Sequence, residues 1–191
     1  MKKLREFWNF LWKSNSILSW IACLALVFLI MMGIFFPILR LIFSTSLPLV
    51  IIESESMEHA YSFDKWYASC DWYINNNITK DEFSKWEFSN GLYKGDIIIV
   101  TGEKEYQKGQ VIVFKAQQKT PIIHRVMTVM TTDEKTVSTK GDNNCYQLPQ
   151  EKIINKEQII GRAIGRIPML GWIKLIEVEI FKAISSLFKS S

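Results

Sequence analysis

Residues 108–130, KGQVIVFKAQQKTPIIHRVMTVM, read as two β-strands with a polar stretch between them. Val111-Ile112-Val113-Phe114 follows the turn residues Lys108-Gly109, and the run from Pro121 to Met130 returns to β-branched and apolar side chains. Short runs of this kind, bounded by Gly, Pro and polar residues, mark strands rather than helices. Similar runs lie on either side: Leu49-Val50-Ile51-Ile52 after Pro48, Ile97-Ile98-Ile99-Val100 after Gly95-Asp96, Lys135 to Lys140, and Gln158 to Ile167. Together they predict a compact, mainly β domain with mostly antiparallel strands.

Other segments are helical. From Ser14 to Leu39 there is no charged residue, and Ile17–Leu39 is long enough to span a bilayer core of ~30 Å. Its apolar core is too long for a cleavable signal peptide, and its Phe35-Phe36-Pro37-Ile38-Leu39-Arg40 exit is too bulky. A retained anchor is expected, with Pro37 kinking or ending the helix. Lys2, Lys3, Arg5 and Lys13 precede it against Glu6 alone, which places the N-terminus in the cytoplasm and residues 41–191 outside. Trp8, Trp12 and Trp20 suit the inner headgroup belt.

Residues 60–93 hold ten aromatics among polar residues and predict two short helices. One spans 63–75 after Ser62, and the other starts at Thr79-Lys80-Asp81-Glu82, a capping-box pattern. The tail from Trp172 to Phe188 is an amphipathic helix, with apolar residues at 173, 176, 180, 184 and 187. Lys174, Glu177, Glu179 and Lys182 exclude a second span, which leaves an interfacial helix or one packed on the β domain.

A net charge of +4, spread along 191 residues, gives no basic stripe and no expectation of a nucleic-acid partner. Two histidines and three cysteines without a C-x-x-C pair exclude a structural zinc site, and no cofactor is expected. Cys23 reads as a packing residue in the anchor. Cys70 and Cys145 fall on the outer side, where a disulfide is permitted, but proximity is not legible in sequence, and they are read as free buried thiols.

A serine becomes a nucleophile only beside a base, and histidine suits that role near neutral pH. The choice is between His59, in a loop three residues after Ser56, and His124, within a predicted strand. A base that must aim at a serine is better held on a strand. Lys140-Gly141-Asp142-Asn143-Asn144 is a turn by composition, and an aspartate there could accept a hydrogen bond from the histidine. Taken singly, each piece has an ordinary reading: Ser-x-Ser is common, the turn is just a turn, and a lone strand histidine is structural.

Their order carries more. Ser54-Glu55-Ser56-Met57-Glu58, Lys94-Gly95-Asp96-Ile97, Gly109-Gln110-Val111-Ile112-Val113-Phe114, His124-Arg125-Val126, Lys140-Gly141-Asp142-Asn143-Asn144 and Ile160-Gly161-Arg162-Ala163 follow a single N-terminal anchor. In this the chain resembles the type I signal peptidases, in the archaeal and endoplasmic-reticulum branch that uses Ser and His in place of Ser and Lys. The resemblance implies Ser56 as nucleophile, His124 as general base, Asp142 as acidic partner, and Ser54 as a hydroxyl that supports the oxyanion. Covering about residues 17–171, it implies a barrel-like peptidase domain over 41–171, between the anchor read at 1–40 and the tail helix read at 172–191. The implied substrates are signal peptides of preproteins, cut after small-x-small sequences. The bilayer and the protein-translocation channel are the other expected partners.

The chain departs from the family pattern in three places. No second aspartate follows Gly-Asp-Asn, Glu151 is the next acid, and whether a second carboxylate is needed stays open. His59 stands where proline is usual, as a loop residue or a second base. Residues 60–93 are longer than the family's connection and suggest a lid, a membrane flap, a partner surface or a self-packed helical hairpin. Three rival readings are a catalytically silent scaffold of a secretion complex, a Ser-Lys peptidase using Lys115 or Lys140, and a tethered binding module.

Overall fold

The computed structural model describes residues 2–116, 118, 120–130 and 136–189, the side chains of Leu4 and of residues 181–189 excepted. It divides into two compact units, Met1–Ile42 and Phe43–Ser191.

The first unit begins with helix α1 (Lys2–Lys13), on which Phe7, Trp8, Phe10 and Trp12 are exposed. Ser16 caps the next helix, α2 (Ile17–Ile30), by accepting from the Ser19 N–H. The Ser19 hydroxyl in turn donates to the Phe10 and Leu11 carbonyls, which the end of α1 leaves without helical partners. A π-helical turn, Met31–Phe35, leads into α3 (Phe36–Ile42). The continuous apolar helix covers Ile17–Ile42, 26 residues with mean hydropathy 2.8, and fits a membrane span. It does not end at Pro37. Proline cannot donate into the helix, and the wider turn before it, where the Phe36 N–H reaches back to the Met31 carbonyl, absorbs the misfit.

The second unit is built on six antiparallel strands: β1 (Leu49–Ile51), β2 (Ile97–Thr101), β3 (Val111–Phe114), β4 (Ile122–Val129), β5 (Val137–Lys140) and β6 (Ile159–Ile167). Their order across the sheet is β1-β2-β6-β3-β4-β5. Of the expected strand starting at Lys135, that first residue lies outside the described residues. Strand β3 is buried along its whole length. Val111 and Val113 pack with Ile98, Val100 and Met57, while Ile112 and Phe114 pack with Ile122, Val126 and Ile154. Around β3 the sheet is thus covered on both faces, which explains the continuous apolar run there.

The expected strands form this antiparallel sheet, but helical residues outnumber strand residues among those described, so the mainly β reading does not hold for the chain. Residues 60–93 form three short helices rather than two: α4 (Phe63–Ala68), α5 (Trp72–Asn75) and α6 (Lys80–Ser84). Thr79 caps α6 through a bond from the Glu82 N–H, whereas Ser62 makes no side-chain cap. Trp66, Tyr67, Tyr73, Ile78 and Phe83 close around Met127 of β4 as a separate apolar cluster. Cys70 and Cys145 are joined in a disulfide, which corrects the free-thiol reading. They stand 75 residues apart, and only the fold brings their Cα atoms to 5.1 Å.

The tail forms α7 (Trp172–Lys189). Leu175 is buried and Trp172 sits against Gly95, while Ile173, Ile176 and Ile180 on the expected apolar face are exposed. The side chains of Lys182, Ile184 and Leu187 lie outside those described.

Candidate active site

Consecutive residues on a strand point to opposite faces. On β4 this sends His124 to the side of Ile122 and Val126, and Arg125 to the side of Ile123 and Met127. Two polar clusters follow from that division.

The first is a row of three side chains. Ser56 lies in the loop after β1, half-buried, with its Oγ 2.9 Å from His124 Nε2. His124 is buried, and its Nδ1 is hydrogen-bonded to Glu151 Oε1. Glu151 is wholly buried and ends a short 3-10 turn, Pro149–Glu151. Its other oxygen accepts from the Leu148 N–H at 2.8 Å, and Thr139 Oγ1 approaches Oε1 at 3.5 Å. The carboxylate is therefore held from its own turn and aimed at the imidazole. A hydroxyl, an imidazole and a carboxylate in this order can serve as nucleophile, base and the acid that fixes the base's tautomer. Ser54 is exposed, and its hydroxyl lies 3.1 Å from that of Ser56.

The second cluster holds Asp142, and here the structure departs from expectation. Asp142 makes no bond to His124; it faces Arg125, on the other side of β4. Arg125 donates to it through Nε at 2.9 Å and through a terminal nitrogen at 2.6 Å. The same guanidinium donates to the carbonyls of Glu87, Gly109 and Phe88 and lies over the rings of Phe83 and Trp86. Burial raises the Asp142 pKa, but the Arg125 charge and the bonds from His59 and Arg125 outweigh it and hold the carboxyl at about 2. The carboxylate on His124 is Glu151, the acid left open by the missing second aspartate. A Pro at the first position of a short turn with Glu at the third was the only local sign of a fixed side chain there.

His59, the alternative base, is buried, stacked on Trp66 with ring centres 3.5 Å apart, and bonded through Nε2 to Asp142 at 3.2 Å. It belongs to the second cluster, away from Ser56. Lys140, the alternative lysine, is fully buried. Burial lowers its pKa to about 8, against the opposing pull of Asp142 and Glu151. Its Nζ donates to Tyr73 Oη and to the Gly141 carbonyl, not to Ser56. Lys115 is exposed.

The turn after β5 joins the clusters. The Asn143 N–H donates to the Ser56 carbonyl at 2.8 Å, and the Asn143 amide donates to the Glu55 carbonyl at 3.1 Å. Gly141 is packed so closely that a Cβ there would meet His124 Nε2 at 2.7 Å and the Ser56 carbonyl at 2.9 Å. Gly141→Ala is therefore expected to push Ser56 and His124 apart, and a reaction that uses this pair should lose about 10²-fold in kcat, the order of loss for a misplacement near 1 Å. Steady-state kinetics of that reaction on the folded variant check this, and a kcat within twofold of wild type would refute it.

Ser54, Ser56, His124 and Leu148 line a cleft of about 600 Å³, whose walls are Val50–Glu53 and Thr120–Ile123. One wall continues from β1, an outer strand of the sheet.

No family model matches the chain. Among curated proteins it is 34% identical over 105 residues to a signal peptidase complex catalytic subunit of Ogataea parapolymorpha, covering 45% of this chain and 60% of that protein. It is 32% identical over 115 residues to the subunit of the same name in Lodderomyces elongisporus, covering 51% and 69%. The Homo sapiens protein is 33% identical over 96 residues, covering 44% and 50%. The chain thus spans between half and about two thirds of the length of the curated relatives it matches. On the strength of the match over more than two thirds of the Lodderomyces protein, the chain belongs to the family of signal peptidase complex catalytic subunits.

Proposed function

We propose that this chain is a membrane-anchored serine endopeptidase that removes signal peptides from preproteins by cutting after small-x-small sequences. The observation that carries the reading is the row Ser56–His124–Glu151 at the edge of a cleft. Glu151 holds His124 with its proton on Nδ1, which leaves the Nε2 lone pair facing the serine. His124 takes the Ser56 proton as Oγ attacks the scissile carbonyl. It then gives that proton to the leaving amine, and the acyl-enzyme is hydrolysed by water that His124 activates in turn. The Ser54 hydroxyl, beside the nucleophile, and the Ser56 N–H stabilise the oxyanion.

The extended end of the signal peptide enters the cleft as a strand beside β1, so main-chain bonds supply affinity and shallow pockets select small side chains. The sheet coils into the barrel-like peptidase domain of the family. The N-terminus is cytoplasmic, the peptidase domain is extracytoplasmic, and the exposed face of α7 at Ile173, Ile176 and Ile180 rests on the bilayer. Enzyme and substrate anchored in one membrane meet at high effective concentration. Partner subunits and the translocation channel complete the setting in which preproteins arrive.

The test uses the purified full chain in detergent with a preprotein, and the new N-terminus is read by mass spectrometry. Cleavage after a small-x-small sequence, absent with Ser56→Ala, is the expected result. Cleavage that persists in Ser56→Ala overturns the proposal.

A further inference from the structure

The helices of residues 60–93 are tied to the turn that supports the nucleophile, and by three separate attachments. The first is covalent: the disulfide joins Cys70, between α4 and α5, to Cys145, next to Asn144 at the end of the turn. The second is polar: Tyr73 of α5 donates from Oη to the Asp142 carbonyl at 3.2 Å and accepts from Lys140 Nζ at 3.1 Å. Burial and the nearby Asp142 push the phenol's pKa up, so it remains a hydroxyl. The third is a stack: Trp66 of α4 lies on His59, whose Nε2 meets the Asp142 carboxylate. None of these side chains touches Ser56 or His124. All of them act on Gly141–Cys145, and that turn in turn bonds the carbonyls of Glu55 and Ser56.

We infer that residues 60–93 are a positioning element for the reaction, in which the Cys70–Cys145 disulfide, Tyr73 and Trp66 hold the Gly141–Cys145 turn so that Ser56 stays in register with His124. This accounts for the composition of the segment. A lid or partner surface would present its aromatics outward, whereas Trp66, Tyr67, Tyr73 and Phe83 are buried. It also follows that the site has a redox-sensitive support. An external dithiol supplies two electrons and two protons, the S–S bond breaks to give the Cys70 and Cys145 thiols, and the dithiol closes to its own disulfide. The turn then keeps only its non-covalent ties.

The inference rests on the proposed peptidase activity, and the experiment separates the two. The full chain in detergent is assayed on a preprotein in three states: oxidised, reduced with dithiothreitol, and reoxidised. The Cys70→Ala/Cys145→Ala and Tyr73→Phe variants are run beside it, and circular dichroism gives the folded fraction of every sample. In the reduced state and in the double variant, kcat is expected to fall about 10- to 100-fold with KM within twofold, the order of loss for a small misplacement of reacting groups. Tyr73→Phe should lower kcat in the same direction with the disulfide intact, and reoxidation should restore the wild type. An unchanged kcat on reduction overturns the inference, as does a loss that only tracks the folded fraction. If the oxidised chain itself leaves the preprotein uncut, the proposed function fails and this inference fails with it.

Discussion

Replacing Glu151 by glutamine is expected to lower kcat about 10⁴-fold while the protein stays folded, the loss typical when a triad carboxylate becomes an amide. The Glu151 carboxylate accepts from His124 Nδ1 and so fixes which nitrogen faces Ser56. An amide in its place can turn its NH₂ toward Nδ1, which puts the imidazole proton on Nε2, where it no longer accepts from the serine. In the proposed reaction it also removes the negative charge that would stabilise the imidazolium formed during attack. His124→Ala and Ser56→Ala should fall further, to a common floor, and combining them should cost little more, because the residues of such a unit are not additive. Single-turnover cleavage measures all three. If Glu151→Gln stayed within tenfold of wild type while Asp142→Asn lost about 10⁴-fold, the acid would be Asp142 and the geometry would have misled.

Asp142→Asn should act on stability. Arg125 has no exposed surface, and Asp142 supplies its only countercharge among the described residues that bond it. Removing one partner of a buried pair strands the other charge, at a cost of about 3–5 kcal/mol. Chemical denaturation of the variant reads this directly, and a loss below about 1 kcal/mol would contradict it. The pH dependence carries the same signature. A carboxyl held at about 2 when folded, against 3.8 ordinarily, contributes stability above about pH 4 that is lost as pH falls through 2. That acid limb should amount to about 2 kcal/mol and be missing from Asp142→Asn. Assayed where it is still folded, Asp142→Asn should keep kcat at least about 100-fold above Glu151→Gln, since Asp142 touches neither Ser56 nor His124.

The anchor and the strands were legible because each is written in a local pattern, a long uncharged run or a short β-branched one. Ser56 and His124 could be paired in the sequence only through the order of the short motifs that carries the family resemblance, since 68 residues separate them. Glu151 was harder. Its role depends on a 3-10 turn that carries the side chain to His124, and Pro149 with Glu151 two residues on is a faint local hint of that path. Arg125 carried no expectation of its own in the sequence, yet it organises the second cluster, because a guanidinium can serve a carboxylate and three carbonyls at once. The Cys70–Cys145 bond was illegible for a similar reason: pairing is a property of the assembled fold, and the turn and the helices meet only there.

The irregularity in β4 has a consequence of its own. Met127 is an extra residue between Val126, which pairs with Thr139, and Thr128, which pairs with Ser138. An added residue reverses the facing of every side chain beyond it, so its place along the strand matters. Here it comes after both His124 and Arg125 and leaves their facings untouched. Had the same irregularity fallen a few residues earlier, the two would have traded places, with a guanidinium against the serine and an imidazole against the buried carboxylate. A single-residue deletion at the start of this strand would thus be a more damaging change than most substitutions of the residues it displaces.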